Sequence, residues 1–329
     1  MPQTEYGQAE DLLRRQWNLT GALERLPGEN LNFRVATAEH GPLVLKISLE
    51  SHADIPLEEA VVDHLDSAGF PVPISIPAVS GARSVEATLP HGHSAARLQR
   101  HLPGTPWRDT EQTDALLRSI GRSLGTMHHA LQSFQHPNAD RTHGWDLSMA
   151  MAHHHAVDHF TSPRQRSILE LCFHQHSAIT MPGLTHCPQG MLHGDFNDEN
   201  ILVDQEKITG LLDFGDCLHG ALIEDIAVTL AYALERTRGS LEQARPLIEG
   251  YEEIRPLSDT EQSVLIPLAM MRLAIYIITD STIRLDDPDG GMRNRHVDAA
   301  WQTLETCMAL SPTEARSTLC AGCHLQPTP

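Results

Sequence analysis

The spacing of apolar residues divides the chain into a β-rich first part and a helical second part. In the first hundred residues, short apolar runs are separated by turn residues such as Gly41-Pro42, a pattern that is typical of strands. Leu57, Val61 and Leu65 instead recur at helical spacing, and they predict a helix over 57–68. The segments predicted as strands are 28–35, 43–49, 84–89 and 94–102.

Beyond residue 106 the apolar positions recur every three or four residues, which is the period of an amphipathic helix. A polar cluster at 191–216 interrupts the helices and is flanked by short apolar segments that predict strands. Pro267 lies inside one helical pattern and is expected either to kink that helix or to mark its start. The predicted helices of this part are 116–131, 162–176, 224–236, 258–278 and 295–310.

This order of elements predicts an α+β protein with two lobes. Residues 1–102 form a small β-rich N-lobe, residues 103–312 a larger helical C-lobe, and residues 313–329 a loose tail without periodicity. The linker lies near the Leu102-Pro103-Gly104 segment. A cleft between two such lobes is a common place for a nucleotide.

Charge and composition limit the classes of binding partner that are expected for this chain. The chain of 329 residues has 24 basic and 43 acidic residues, and its net charge is −19. Such a surface repels nucleic acid and anionic membranes, so neither is expected as a partner. We find no run of about 18 apolar residues, which predicts no membrane span. The polar first 16 residues lack the apolar core of a signal peptide, and six cysteines are sparse, so a cytoplasmic location is expected. The oligomeric state stays open.

One sequence motif indicates the type of reaction that the chain is expected to catalyse. The segment from His193 to Val203 reads HGDFNDENILV, and a DFG triplet begins at Asp213. In the kinase pattern H-x-D-x-x-x-x-N, the Asp lies two residues after the His, the Asn lies five after the Asp, and a D-F-G follows. Asp195 and Asn200 keep both intervals. The sequence therefore predicts phosphoryl transfer rather than an ordinary acidic hairpin.

Phosphoryl transfer requires these residue types. An acceptor hydroxyl must be aimed at the γ-phosphorus and lose its proton late in the reaction, and Asp195 is predicted as this base. Magnesium prefers oxygen ligands, which Asn200 and Asp213 are predicted to supply from the two ends of a hairpin over 201–212. His193 is predicted to be structural and to bond to the backbone near Asp213, because a base is already present.

A lysine in the second strand is the candidate phosphate ligand. Lys46 lies among apolar residues, where a lone cation is costly unless it is paired or liganded; an edge-strand lysine in water is the alternative. Glu58 is preferred over Glu59 as its partner, because it lies two helical turns before Leu65 on the apolar side. Gly28 precedes the first strand, and backbone N–H groups there are candidates to cap phosphates, although no G-x-G-x-x-G is present.

From about residue 28 to residue 310, the chain resembles the aminoglycoside phosphotransferase and choline kinase-like superfamily, with hydroxylysine kinase-like members most similar. The glycine between His193 and Asp195 is typical of this group. Supporting segments are 28–33, 102–106 and 145–147. The resemblance implies a bilobal protein-kinase-like fold, Mg²⁺, and ATP or GTP as co-substrate. It also implies that the backbone from Arg100 to Leu102 contacts the purine.

The resemblance further implies a small hydroxylated amine or amino acid as acceptor. Asp198, Asp216 and Asp225 are candidates to hold its ammonium group. Arg272, on the predicted helix 258–278, is a candidate to hold a carboxylate, because its guanidinium is a planar fork. If both groups are bound, the substrate is an amino acid such as 5-hydroxylysine; choline, ethanolamine, homoserine and aminoglycosides are the alternatives. Each of these side chains has a structural alternative as a buried ion pair or a helix cap.

Three other interpretations are open to test. The chain is an inactive kinase-like binding module if the site does not turn over. It is a protein kinase only if an activation loop and a peptide platform fit between Asp213 and the helix near Glu224. This spacing is short, which favours a small acceptor. Cys320-Ala321-Gly322-Cys323-His324 matches a haem-attachment spacing, and His153 to His155 is a histidine run. For the cysteine motif, chance or a loose metal-binding thiol pair is favoured over haem. For the histidine run, a solvated segment is favoured over a metal site.

Overall fold

A computed structural model describes residues 5–28, 30–48, 55–89, 92–286 and 297–320. It divides the chain into two compact units. The first unit contains Met1–Gly104 and Thr209–Gly215, and the second contains Thr105–Ile208 and Asp216–Pro329. This division differs from the predicted lobes at residues 209–215, which include Asp213. Glu29 and the segment 321–329, with Cys323 and His324 of the haem-like spacing, lie outside the described residues.

The first unit is built on an antiparallel sheet. The strand order is β1-β2-β3-β6-β4, with β5 also paired to β6. The predicted hairpin is β2–β3, and the register of β3 with β6 places Lys46 opposite Arg97. Its elements are α1 (Glu5–Trp17), β1 (Ala22–Leu26), β2 (Leu31–Thr37), β3 (Gly41–Ser48), α2 (Ile55–Ser67), β4 (Ser75–Ile76), β5 (Val85–Leu89) and β6 (Gly92–Arg100).

Helix α1 covers part of the core of this unit. Its apolar side chains Leu13 and Trp17 join a buried cluster with Phe33 and Leu45 of the sheet. The indole Nε1 of Trp17 donates to the carbonyl of Ile76 at 2.9 Å, which satisfies the one polar atom of that ring. The core is thus closed on one side by a helix that precedes the sheet in sequence.

The second unit is mostly helical and contains the short strands of the polar cluster, except that the part of β10 from Thr209 onward belongs to the first unit. Two small sheets have the orders β10-β9-β7 and β11-β8. A 3₁₀ segment runs over Leu147–His159, and a π-helical turn over His176–Thr180. The elements are β7 (Thr105–Pro106), α3 (Asp114–Ala130), α4 (Pro163–Gln175), α5 (Met181–Leu184), β8 (Gln189–Leu192), β9 (Ile201–Asp204), β10 (Lys207–Leu211), β11 (Leu218–Ala221), α6 (Ile223–Arg236), α7 (Leu241–Glu252), α8 (Asp259–Asp286), α9 (Val297–Met308) and α10 (Pro312–Leu319).

The predicted fold class is confirmed: a β-rich N-terminal region is followed by a mostly helical part. The idea that Pro267 begins its helix is wrong, because α8 begins at Asp259 and contains Pro267. The reason is a capping box, in which Ser258 Oγ accepts from the Glu261 N–H at 3.3 Å and Glu261 Oε2 accepts from the Ser258 N–H at 2.9 Å.

The loose tail predicted from residue 313 is wrong as far as Leu319. Ser311 and Glu314 form a second capping box, with hydrogen bonds of 3.2 Å and 3.0 Å, and α10 follows it. Ala315 and Leu319 of this helix are buried. Apolar burial and a capped first turn therefore order a segment whose prolines suggested none.

Most of α8 passes a length and composition test for a membrane span. Over Asp259–Ile283 the mean hydropathy of an 18-residue window reaches 1.6, and 78% of that window is buried inside the protein. A core helix of a globular protein passes the same test, so this is weak evidence for a span. The helix contributes Leu268, Ala269 and Met271 to the buried core.

Helices α3 and α7 approach each other closely at two glycines. A Cβ built on Gly121 meets the carbonyl oxygen of Leu247 at 2.0 Å, and one built on Gly250 meets the carbonyl oxygen of Arg118 at 2.1 Å. The sequence pattern did not predict α7, which contains Pro246. Its contact with α3 explains how it forms, because most of the stability of a short helix comes from packing.

We expect Gly121→Ala to lower the melting temperature. Alanine in a helix is otherwise about 1 kcal/mol more favourable than glycine, but here the added methyl group overlaps a backbone oxygen, and overpacking costs about 1–3 kcal/mol. Calorimetry measures the shift. Gly144→Ala is the control, because its Cβ meets nothing within 4 Å. An unchanged or raised melting temperature for Gly121→Ala contradicts this account of the contact.

Candidate active site

The carboxylate of Asp195 is held at both oxygens. Oδ1 accepts from Arg272 Nη2 at 2.6 Å. Oδ2 accepts from Asn197 Nδ2 at 2.8 Å and from Asn200 Nδ2 at 2.9 Å. The predicted base is therefore an oriented carboxylate in a half-buried loop, which is the arrangement that positions an acceptor hydroxyl.

Asn197 is a residue that the sequence interpretation missed. Its Oδ1 accepts from the backbone N–H of Glu199 at 2.8 Å and of Asn200 at 3.0 Å. These two bonds fix the amide, so its NH₂ group must point to Asp195. In turns, an asparagine side chain commonly accepts a hydrogen bond from the backbone two residues ahead. The asparagine among the four residues between Asp195 and Asn200 was therefore the sequence signal for this role.

The amide of Asn200 is oriented in the same way. Its Nδ2 donates to the Asp195 carbonyl at 3.0 Å as well as to Asp195 Oδ2. Both amide hydrogens thus go to Asp195, and the amide oxygen faces the opposite side. That oxygen is the atom the sequence predicts as a magnesium ligand, so the geometry fits this role.

Asp225 lies beneath the catalytic loop and holds its backbone. Its carboxylate is 1% exposed and accepts from the N–H of His193 at 2.8 Å and of Gly194 at 2.9 Å. His128 Nε2 donates to the same carboxylate at 3.0 Å, and the other nitrogen of His128 bonds to the Tyr251 hydroxyl at 2.8 Å. Asp225 was predicted to hold a substrate ammonium; this is wrong, because its lone pairs already serve the loop.

The neighbours of Asp225 keep it charged. Burial by itself raises the pKa of this carboxyl. The hydrogen bond and charge of His128, together with the charge and backbone N–H of His193, outweigh burial and lower the pKa below its ordinary value.

Only glycine fits between His193 and Asp195. Gly194 has a φ of +82°, and a Cβ there would lie 2.1 Å from the carbonyl oxygen of Asp216. The pairing of β8 with β11, which sets Leu192 opposite Leu218, brings these two backbones together. Within the loop, His193 Nδ1 accepts from the Asp195 N–H at 3.2 Å, so its predicted structural role has a local partner.

Arg272 is buried between aromatic rings. Its guanidinium carbon lies 4.5 Å from the ring centre of Trp145 and 5.8 Å from that of Tyr232. Nη2 also donates to the Tyr232 hydroxyl at 3.3 Å. Burial raises the pKa of Tyr232 to about 12, so the phenol remains neutral and accepts this bond. The carboxylate that Arg272 contacts is Asp195, a pairing that the sequence did not predict.

The two other acidic candidates differ in environment. Asp198 is 2% exposed, and its Oδ2 lies 3.7 Å from Arg236 Nη1, so a protein cation already faces it. The side chain of Asp216 is 31% exposed. His143 Nε2 donates to the Asp216 carbonyl at 3.0 Å. Of the three predicted ammonium ligands, Asp216 is therefore the one whose carboxylate reaches solvent.

In the first unit, Lys46 is paired with Asp213. Lys46 Nζ lies 2.6 Å from Asp213 Oδ1. Burial lowers the pKa of Lys46, but the charges of Asp213 and then Glu58 outweigh it and raise the pKa above its ordinary value. Asp213 has a φ of +57°, a left-handed conformation that is unusual for aspartate. The structure thus brings together two of the predicted site residues.

The ion pair that the structure shows for Glu58 corrects the prediction. Glu58 Oε1 lies 2.8 Å from Arg97 Nη1, and Arg97 is 2% exposed on β6. Glu58 therefore influences Lys46 by its charge, while its contact is with Arg97. The sequence interpretation overlooked Arg97, because the position opposite Lys46 becomes known only from the strand register.

The remaining nucleotide candidates lie at the ends of strands. Gly28 has a φ of +130°, which explains a glycine at this turn. The Arg100 N–H donates to the carbonyl of Ile74 at 2.9 Å, so it is engaged within the protein and not free for a purine. Leu102 is buried. A purine contact by the backbone of residues 101 and 102 stays a prediction.

Histidines of the run His153 to His155 form hydrogen bonds within the protein. His153 Nε2 bonds to the carbonyl of Gly144 at 2.8 Å, and His154 Nε2 to Glu170 at the same distance. In the part of the chain that the structure describes, no group of three or more His, Cys, Asp or Glu side chains is arranged as a metal site. The geometry therefore indicates no zinc-like centre at these histidines.

Comparison with known proteins identifies the family. The model of the phosphotransferase enzyme family matches residues 22–260, which is more than half of the chain. This chain belongs to the phosphotransferase enzyme family. The predicted resemblance and the predicted class of enzyme, a phosphotransferase that acts on a hydroxyl group, are confirmed.

Relatives of this phosphotransferase act on hydroxylated amino acids by name. Hydroxylysine kinase of Danio rerio is 26% identical over 307 residues, which cover 88% of this chain and 86% of the relative. Homoserine kinase of Rhizobium johnstonii is 28% identical over 270 residues, 80% of each chain. Both relatives are covered over most of their length.

Solved structures show the same fold. Amicoumacin kinase hAmiN, in complex with AMP-PNP, Ca²⁺ and Ami, has a TM-score of 0.70 at 15% identity, over 96% of this chain and 94% of the other. A microcompartment-associated aminopropanol kinase has a TM-score of 0.65 at 16% identity, over 98% and 100%. At this identity the likeness concerns the fold alone.

We expect Asp225→Asn to destabilise the phosphotransferase by about 3 kcal/mol or more, since it replaces a buried carboxylate that accepts three hydrogen bonds, two of them from backbone N–H groups. Hydrogen exchange at the amides of His193 and Gly194 should also become faster. Asp140→Asn, at a side chain that is 93% exposed, is the control. Equal stability and equal exchange in the two variants would show that Asp225 does not hold the loop.

A second prediction concerns pH. Glu224 is buried on α6, and burial, followed by the charge of Asp146, raises its pKa from 4.5 to about 8. Between these values the folded protein holds a proton that the unfolded chain releases, so this carboxyl lowers stability as pH rises. We expect the melting temperature of the natural protein to fall relative to Glu224→Gln from about pH 5 to about pH 8. If the melting temperatures of the two proteins change with pH in the same way across this range, the pKa of Glu224 is not raised.

Proposed function

We propose that this phosphotransferase transfers the γ-phosphoryl group of ATP or GTP to the hydroxyl group of a small amine or amino acid, with a hydroxylysine-like acceptor favoured. The observation that carries the proposal is the Asp195 carboxylate, which Asn197, Asn200 and Arg272 orient together. A carboxylate fixed in this way is suited to aim one hydroxyl at a phosphorus atom.

The proposed reaction assigns each bond change to a named atom or residue. The acceptor oxygen forms a bond to the γ-phosphorus, its proton passes to Asp195, and the bond from the γ-phosphorus to the bridging oxygen breaks to release the nucleoside diphosphate. Lys46 is proposed to bind phosphate oxygens. Asp213, the present partner of Lys46, is proposed as a ligand for a cation.

A magnesium ion fits the chemistry of the donors. The Asn200 amide oxygen and the Asp213 carboxylate are hard oxygen ligands, and the side chain of Asp213 is 45% exposed. Two protein ligands are few, but Mg²⁺ commonly takes its other ligands from phosphate oxygens and water. When bound, the cation neutralises charge on the transferring phosphoryl group.

Two observations favour an amino acid or amine as acceptor. Relatives that cover most of the chain are named hydroxylysine kinase and homoserine kinase. The half-buried carboxylate of Asp216, whose Oδ1 lies 3.9 Å from His143 Nδ1, is in the same unit as Asp195 and is suited to an ammonium group. Choline, ethanolamine and aminoglycosides are the alternative acceptors, and an inactive binding module is the alternative of another class.

The proposal is tested by nucleotide consumption with a panel of acceptors. We expect turnover with ATP or GTP, Mg²⁺ and at least one of hydroxylysine, homoserine, ethanolamine, choline or an aminoglycoside. Asp195→Asn should reduce kcat by about 100-fold to 10,000-fold, because it removes the base but keeps the shape. Product analysis by mass spectrometry identifies the phosphorylated acceptor.

Asp140→Asn is the matched control, because it makes the same chemical change at an exposed position. Full turnover by Asp195→Asn would refute the assignment of the base. Binding of nucleotide without turnover of any acceptor would favour the inactive module.

A further inference from the structure

The guanidinium of Arg272 is buried, yet part of it has no hydrogen-bond partner. Arg272 is 3% exposed, and its Nε and Nη1 are shielded from solvent without an acceptor. The two hydrogens of Nη2 account for Asp195 and Tyr232. Three N–H groups of a charged side chain are thus left over. A buried polar group without a partner costs about 1–3 kcal/mol, and more when it is charged.

The chemistry of these atoms selects an oxyanion as their missing partner. A guanidinium presents its N–H groups in one plane and binds planar oxyanions with two parallel bonds. The rings of Trp145 and Tyr232 lie 4.5 Å and 5.8 Å from the guanidinium carbon. The site is therefore a buried cation beside two aromatic rings, with N–H groups available to an oxyanion.

Trp145 lies nearer to this guanidinium than Tyr232 does, so its ring is placed to report on a group that binds there. Its residue is half-buried, whereas Arg272 beneath it is buried. On one side, the Gly144 carbonyl accepts from His153 Nε2 at 2.8 Å, and the Trp145 N–H donates to His143 Nδ1 at 3.2 Å. On the other side, Asp146 begins the 3₁₀ segment by accepting from the Ser148 N–H at 2.8 Å. The ring therefore lies on a short loop that hydrogen bonds hold on both sides.

We propose that Arg272 binds the carboxylate of the acceptor with two parallel bonds, one from the Nη2 hydrogen that now reaches Tyr232 and one from a neighbouring unpaired N–H, while the other Nη2 hydrogen remains on Asp195. This inference rests on the proposed function and narrows its acceptor to hydroxylated amino acids. One guanidinium then positions both the base and the acid group of the acceptor. An amino alcohol without a carboxylate leaves the three N–H groups unsatisfied and is bound poorly for that reason.

The binding step is measured without phosphoryl transfer. Lysine and 2-aminobutyrate, which lack the hydroxyl, are compared with cadaverine and propylamine, which also lack the carboxylate. A carboxylate that binds Arg272 beside Trp145 should change the tryptophan fluorescence, and Trp145→Phe identifies that signal among the four tryptophans. We expect at least one amino acid of the two pairs to bind about tenfold or more tightly than its amine, a preference that Arg272→Met removes.

The transfer step uses the matched acceptors hydroxylysine and 1,5-diaminopentan-2-ol, and homoserine and 3-aminopropan-1-ol. In the natural protein, kcat/KM should favour the amino acid of the pair that reacts by about tenfold or more. In Arg272→Met this preference should disappear, mainly through KM. Arg272→Lys keeps the charge but lacks the planar fork, so it should lose the preference as well. Its melting curve shows whether the site is still folded.

Arg122→Met is the control for the loss of one positive charge, since Arg122 pairs at the surface with Glu253. Equal losses for acceptors with and without a carboxylate would place Arg272 on the phosphoryl group and overturn the inference. So would equal binding of amino acids and amines by the natural protein. If amino acids bind through Arg272 but no hydroxyl compound is phosphorylated, the proposed function fails and the carboxylate site stands.

Discussion

The site depends on a buried carboxylate that does no chemistry. Asp225 accepts from the backbone of His193 and Gly194 and from His128, so the loop that carries Asp195 is fixed from below. Gly194 makes this possible, because its positive φ lets the backbone turn against Asp216 without a side chain in the way. Anchoring the backbone leaves the side chains of the loop to orient one another. Asn197 and Asn200 then complete the orientation of Asp195 without any ligand.

A second constraint is the pairing of cations in an acidic protein. Lys46 and Arg272 are both buried, and each is bound to a carboxylate of the candidate site, Asp213 and Asp195. These pairs hold the charges in place and lower the cost of burying them. In the proposed function, a phosphate that binds Lys46 replaces its present contact with Asp213. In the proposed carboxylate site, the acceptor binds Arg272 while Asp195 keeps its hydrogen bond to Nη2.

Family membership and geometry answer different questions here. The family establishes the class of enzyme, and its named relatives suggest the kind of acceptor. Neither distinguishes an amino acid from an amino alcohol as acceptor. The proposed preference for an amino acid rests instead on the unpaired N–H groups of Arg272.

The sequence by itself determined the fold class and the catalytic motif. Strand and helix periods are local, and the spacing of Asp195, Asn200 and Asp213 is a property of one short segment. The tertiary structure decided which side chains form ion pairs and hydrogen bonds with one another. Glu58 contacts Arg97 because the register of β3 with β6 sets Arg97 opposite Lys46. Asp225 lies under the loop because β11 pairs with β8 just before α6 begins. Arg272 meets Asp195 across 77 residues. Contacts of this kind join distant segments, and no local pattern encodes which of several carboxylates a buried cation will reach.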